Sequence, residues 1–417
     1  MSTNAAATSP QLMRSINMGR VLAHAWRGDG FTASEAMETT GLTRTTVIDV
    51  CDELVRKGWL RELRNARSVG EYRKGRPARR YELRAEAGVV VGVDAGYERM
   101  SVEVADLRGR SLARTSAEIP APTPQSVERL ADAGERRRLA RRLYDDALAS
   151  YGLAATDVLA VTVGVPAPVD ALGVSPDDGV GFWRLVNPGI GAVFGDRAPI
   201  VTVENDANLA AIAEGCRPDG AGRDVDSYIA MLVGEGIGAG LMIDGRLVRG
   251  RRGGAGEMRF LDRVKGVGSS EGLALLARLW ATEAITSGAL PPDSLLARLD
   301  PDSLRQRDVA DAATAGDPAA VRIVERLATR LARICLVLGD VLDVDLVVVG
   351  GEAARSLPAV IEEAADILRR SDDPTAPRLL PSALGAEAVS TGAVEHALSL
   401  VRRRALELTL PGVRDVA

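Results

Sequence analysis

The chain predicts an α/β protein in two unequal parts, a small helix-turn-helix head with a wing and a larger body of two α/β lobes. Three observations lead there. Charge is split along the chain. A capped helix pair precedes a basic hairpin. One strand-turn-strand unit occurs twice in the body.

The 417 residues are enough for two or three domains and an ample core. The net charge of −5 hides an asymmetry: residues 56–84 hold eleven Lys/Arg against three Asp/Glu. Residues 1–87 are net +5, which leaves −10 for the rest. A basic module on an acidic body is the pattern of a nucleic-acid reader with a separate sensing domain. Cys51, Cys216 and Cys335 lie far apart without a C-x-x-C pair, as suits a reducing cytosol. Two histidines, His24 and His396, rule out a His-rich metal cluster. Residues 1–10 lack a signal-peptide pattern and no apolar run reaches 18 residues, so a cytoplasmic protein without a membrane partner is expected.

The head is assigned to residues 10–87. Gln11–Arg27 reads as a helix. Thr32-Ala33-Ser34-Glu35 is a capping box opening a short second helix, which ends at Thr40-Gly41-Leu42. Thr43 caps a third, with Val47, Val50, Cys51, Leu54 and Val55 spaced for a core. Arg44, Thr45, Thr46 and Asp49 then fall on the opposite face, where a recognition helix meets base edges. Strands at 59–63 and 80–83 flank a polar tip. Arg73, Lys74, Arg76 and Arg79 lie on this wing, whose extended Lys74-Gly75-Arg76-Pro77 suits a narrow minor groove. A solvated charged linker is the plainer alternative.

The body is divided into lobes at 88–200 and 201–390, with a last helix at 391–406 returning to the first. Val89–Arg114 and Tyr228–Arg249 share one order: apolar strand, acid with glycines, strand, Asp/Gly-Arg turn, strand. That indicates internal duplication, with a cleft facing Asp94, Asp206 and Gly234–Gly240. Val201–Ala211 (V-T-V-E-N-D-A-N-L-A-A) runs from strand through an acidic, amide-rich turn into a helix. Ligands collect at such strand ends. A helix cap needs one of Glu204, Asn205, Asp206 and Asn208; four together point to a polyol site, with Asp206 as a candidate base. Residues 172–196 read as a long irregular loop lining that site. No P-loop and no dinucleotide fingerprint is present.

The Asp94 loop, Gly164–Asp170, Val203–Asn208, Gly234–Gly240 and Gly256-Glu257, in this order, resemble the ROK family of sugar kinases and sugar-responsive repressors. The resemblance spans about residues 10–405 and implies an actin/hexokinase-like (ribonuclease H-like) body. In its repressor branch a winged helix precedes that body, as residues 10–87 do here. It implies Asp206 as the base of a kinase, and Asn205, Asp206, Glu257 and Glu271 as sugar contacts. Asp94, Gly96, Gly234, Gly236, Gly350 and Gly351 would flank a nucleotide.

Three departures shape the expectation. Tyr97 and Glu98 follow Asp94-Ala95-Gly96, where the family continues with small residues. Glu235 replaces a threonine between Gly234 and Gly236. A carboxylate about 4 Å from a phosphate charge costs about 4 kcal/mol at an effective dielectric near 20, so two of them would cancel much of the binding energy of ATP unless Mg²⁺ compensates. Finally, Gly256-Glu257-Met258-Arg259-Phe260 and Gly268-Ser269-Ser270-Glu271 lack the family's histidine and cysteines. No structural zinc and no other cofactor is expected. The reading is a repressor-type regulator, homodimeric or homotetrameric, that binds a double-stranded operator and answers to a sugar or sugar derivative. The alternative is an ATP-dependent sugar kinase using Asp206, with an appended DNA-binding head.

Overall fold

A computed structural model of the chain describes residues 10–63, 79–119, 133–179, 181–288 and 290–411. The head comprises α1 (Pro10–Ala25), β1 (Phe31–Thr32), α2 (Ala33–Thr40), α3 (Arg44–Arg56), β2 (Leu60–Leu63) and β3 (Arg80–Leu83). Its local chemistry follows the sequence closely. Glu35 N–H donates to Thr32 Oγ1 at 3.3 Å and Thr32 N–H to Glu35 Oε2 at 2.5 Å, a closed capping box. Gly41 ends α2 at φ 71°, where a side chain would strain the backbone. Thr43 then caps α3, whose Val47, Val50, Cys51 and Leu54 are buried. The strands form an antiparallel sheet in the order β1-β3-β2. The two-residue β1 was not legible, being too short to show alternation.

The body holds two five-stranded sheets of identical topology. The first contains β4 (Val89–Ala95), β5 (Arg99–Asp106), β6 (Ser111–Glu118), β7 (Val158–Val165) and β8 (Ile200–Asn205), in the order β6-β5-β4-β7-β8. The second contains β9 (Tyr228–Val233), β10 (Ile237–Ile243), β11 (Arg246–Val248), β12 (Leu346–Gly350) and β13 (Arg378–Pro381), in the order β11-β10-β9-β12-β13. In each, three antiparallel strands are followed by two parallel ones. The duplicated hairpins of the sequence are the first three strands of each sheet.

The helices are α4 (Ala133–Ser150), α5 (Phe182–Val186), α6 (Asp206–Cys216), α7 (Leu273–Thr286), α8 (Gln306–Thr314), α9 (Pro318–Leu342), α10 (Glu352–Ser356), α11 (Pro358–Arg370) and α12 (Ala388–Arg404). Two readings need correction. Val201 does not open the second lobe: Ile200–Asn205 pairs in parallel with β7, Val163 opposite Val203 and Val165 opposite Asn205. A short strand leading into a helix looks the same on either side of a domain boundary, and long-range pairing decides its sheet. Residues 172–196 are not wholly irregular, since they contain α5 and a turn of 3₁₀-helix at Ile190–Phe194 that buries Ile190 and Phe194.

Between the sheets lie α6 and α12, packed on each other. Bare backbone lets them touch. A Cβ on Gly392 would fall 1.9 Å from Leu209 O, and one on Gly92 would fall 2.3 Å from Ser390 O. The far side of α6 meets β10, where a Cβ on Gly240 would lie 2.2 Å from Ala207 O.

The head is not a tethered bead. Met18, Val21, Trp59 and Leu83 share one continuous core with Val90, Leu107, Leu398, Val401 and Leu410 of the body. Trp26 Nε1–H donates to Leu107 O at 2.8 Å, and Arg108 donates to Gly28 O at 2.7 Å. Among the described residues no helix is long and apolar enough to cross a membrane.

Candidate ligand cleft and DNA-facing helix

Five turns leave the sheets at strand ends that face the same region. Asp94 is near the end of β4 opposite Gly164 of β7, and Asn205 ends β8 opposite Val165. In the other lobe, Gly234–Gly236 joins β9 to β10, and Gly350, opposite Leu232, leads into Gly351. The structure thus groups Gly234 and Gly236 with Gly350 and Gly351, while Asp94 and Gly96 belong to the facing lobe.

The acidic turn divides into frame and function. Glu204 is buried, accepting from Asn205 N–H at 3.0 Å, Asn208 Nδ2 at 2.9 Å and Arg249 Nε at 2.6 Å. Asn208 is fully buried. Neither is available to a ligand, contrary to the four-residue site expected. Asn205 is also mainly frame: its Oδ1 accepts from Asn208 N–H at 3.0 Å and its Nδ2 donates to Ala167 O at 3.2 Å. One lone pair and one N–H remain for a ligand.

Asp206, the first residue of α6, keeps partial solvent access and accepts from Ala207 N–H at 2.7 Å. Burial pushes its carboxyl up to about 8, and the charges of Asp94 and Glu257 push the same way. Burial raises Asp94 to about 7, against the pull of Arg99, the Gly96 N–H and Arg136. Glu257 is raised by burial, with Arg259 opposing. Asp94 and Asp206 can therefore donate as well as accept near neutrality, which suits hydroxyl-rich ligands.

Glu257 and Glu271 approach through their backbones, Glu257 bridging Gly238 and Glu271 bridging Gly236. The Glu271 carboxylate is exposed and accepts from Ser269 Oγ at 2.6 Å. Among the described residues no hydrogen bond links it to Asp206, Asn205 or Glu257.

The glycine turns are open: a Cβ on Gly234 or Gly236 would meet nothing within 4 Å. Gly351 is constrained, with φ 89° and Val233 O only 2.7 Å from a Cβ position. Glu235 differs from expectation. It is not a free carboxylate, because Arg278 holds it with two bonds of 2.6 and 2.7 Å. Glu98 is raised by burial and then by the charges of Glu235 and Glu352. Three carboxylates thus lie beside the glycine turns, two of them paired, Glu235 with Arg278 and Glu352 with Arg355. Tyr97 stacks edge-on against Phe182, centroids 5.5 Å apart, beside the Asp94 loop.

On the head, Arg44, Thr45 and Asp49 are exposed on α3 as expected. Thr46 is half-buried, its Oγ 2.9 Å from Thr43 Oγ within the cap. Arg79 is exposed and also engaged within the head: it bonds Asp52 and Glu62, both at 2.7 Å, and lies over the Tyr81 ring, tying β3 to α3. Arg73, Lys74 and Arg76 lie outside the described residues. Sequence reasoning missed Arg136, Arg249, Arg278 and Arg330, since nothing in their local pattern names their distant partners. An open hollow of about 460 Å³ on α4, lined by Arg137, Arg141, Arg142 and Asp145, is formed by residues other than those of this cleft.

Comparison with known proteins agrees with this architecture. The ROK family model matches residues 90–399. The DNA-binding transcriptional dual regulator NagC of Escherichia coli is 24% identical over 337 residues, 78% of each chain. Two other curated relatives are covered over only 58% and 50% of their own lengths. A solved ROK family transcriptional regulator, described as a homolog of E. coli MLC protein, superposes with TM-score 0.66 at 21% identity, covering 95% of this chain and all of that one. A ROK glucokinase from Streptomyces griseus, solved with glucose and AMPPNP, gives TM-score 0.57 at 27% identity over 75% of this chain and all of that one. The match across both sheets and the crossing helices between them establishes that this chain belongs to the ROK family.

Proposed function

We propose that this protein is a cytoplasmic transcription regulator of the repressor type. Its operator affinity is set by a sugar or sugar derivative in the cleft around Asp206 and Glu257, and it works as a homodimer or homotetramer on a palindromic duplex. One observation carries the reading: the head shares its core with α12, and α12 packs on α6, whose first residue is Asp206. A ligand that favours one lobe arrangement has a continuous packed route to α3. Its effect equals its difference in affinity between the two arrangements. The likeness to NagC supports the same reading.

Capture of fragmented genomic DNA near physiological salt, with and without glucose, N-acetylglucosamine or xylose, tests it. A discrete palindromic site released by one sugar is expected, because non-specific binding is weak at that salt. Absence of any site refutes the reading. Arg44→Ala is expected to weaken specific binding by about 1–3 kcal/mol and to relax preference at one base position. Unchanged affinity and preference, measured by titration on the captured site, would remove α3 from the interface. The kinase alternative predicts sugar-dependent ADP release. None is expected, given the bulk of Tyr97 and the buried acid Glu98 just after Asp94-Ala95-Gly96, and turnover that Asp206→Ala abolishes would replace the regulatory reading.

A further inference from the structure

The segment carrying Glu271 is gathered on one buried cation. Arg330, midway along α9, is 4% exposed. Its Nε–H donates to Val267 O at 2.9 Å, and its Nη2 to Ser269 O at 2.6 Å and Glu271 O at 2.7 Å. This is the stretch where the family resemblance expects thiolate ligands for zinc. Zinc takes thiolate, imidazole or carboxylate ligands. Here the converging atoms are backbone carbonyls, and among the described residues no group of three His, Cys, Asp or Glu is placed to hold a metal. The residues present do not fit zinc.

We propose that Arg330 is the fastening in its place, a guanidinium fork that gathers the carbonyls of Val267, Ser269 and Glu271 and so positions the segment that carries Glu271. The planar fork suits this task, since its donors diverge at fixed angles and reach acceptors that one metal ion or ammonium would serve differently. The arginine is held there against its own preference: burial lowers its pKa to about 10, and among the described residues Nη1 has no hydrogen-bond partner. The segment is also tied ahead. Gly272 N–H donates to Glu235 O at 2.7 Å and Ala274 N–H to Gly234 O at 3.0 Å. No side chain fits at Gly272, whose Cβ would fall 2.1 Å from Gly234 O. Arg330 therefore holds in one piece the Glu271 loop and the glycine turn between β9 and β10. It is a positioning residue, and the inference stands independently of the regulatory reading.

Hydrogen exchange of the full-length protein over residues 264–274 tests this, in wild type, Arg330→Ala and Arg330→Lys, together with the zinc content of the purified wild type and its response to a chelator. Arg330→Ala is expected to speed exchange there by about tenfold or more, as loss of charge-assisted bonds implies, while α1–α3 and β4–β8 keep their protection. Arg330→Lys recovers part of it. Millimolar guanidinium, but not equal sodium chloride, restores protection to Arg330→Ala, a response that general destabilisation would not give. A chelator leaves the wild type unchanged. Wild-type exchange in Arg330→Ala overturns the proposal. So does stoichiometric zinc whose removal loosens the same segment. Should Arg330→Ala not fold, Arg330→Lys and the wild-type chelator arm decide on the same criteria.

Discussion

Gly392→Ala is expected to destabilise the protein by about 2 kcal/mol, although alanine in a helix interior normally gains about 1 kcal/mol over glycine. Gly392 lies inside α12, and its added methyl would fall 1.9 Å from Leu209 O and 2.5 Å from Leu209 C. Those are backbone atoms of α6, which cannot swing aside as a side chain would. The helices must part, and forced overpacking costs typically 1–3 kcal/mol or more. The packing cost therefore outweighs the propensity gain. Gly19 in α1 supplies the control: a Cβ there meets nothing within 4 Å, so Gly19→Ala should be neutral or stabilising. Urea unfolding of both variants reads the contrast. A Gly392→Ala protein as stable as wild type would mean that α6 and α12 are not pressed together in solution. Because α12 joins the site helix to the head, the variant is also expected to lose any sugar effect on DNA binding.

Asp206→Asn is expected to stabilise the protein increasingly as pH rises, by on the order of 2–3 kcal/mol at pH 9 and by almost nothing near pH 4. The sign follows from proton linkage. Asp206 has an ordinary value of 3.8 when unfolded and about 8 when folded. Between those values the native state holds a proton that the unfolded state has released, so stability falls with rising pH and levels off above about 8. Asparagine cannot ionise and removes that penalty. The expected size is below the full shift, because partial solvent access lets water relieve the charge and because Asp94 and Glu257 take up part of the repulsion. Melting curves of both proteins from pH 4 to pH 9 test it. A difference that stays flat with pH would show that Asp206 does not share a buried site with other acids. The same substitution keeps a hydrogen-bonding group at the position, so sugar binding should weaken rather than vanish.

Several parts were legible because their causes are local. Thr32, Glu35, Gly41 and Thr43 act on backbone groups within four residues, so the capping box, the turn and the start of α3 could be read directly. The repeated hairpins were legible because alternation and turn residues survive in both copies. Asp206 stood out as an acid at a strand-to-helix junction. The roles of its neighbours did not. Glu204 and Asn205 look like ligand groups in a string of letters, yet Arg249 and Ala167 engage them from 45 and 38 residues away. That Arg79 also pairs with Asp52 and Glu62 was likewise not legible, since they lie 27 and 17 residues away.

By itself the sequence determined the order of the longer elements, the division into a basic head and a duplicated acidic body, and the acids and glycines proposed to mark the cleft. These follow from periodicity, capping and composition, which act over a few residues or sum over many. Only the tertiary structure decided that Ile200–Asn205 belongs to the first sheet, that the head shares a core with α12, and that Arg278 and Arg330 neutralise or fasten what they touch. Strand pairing and ion pairing bind residues tens of positions apart, and their strength depends on distance and burial. Neither quantity exists until the chain has folded.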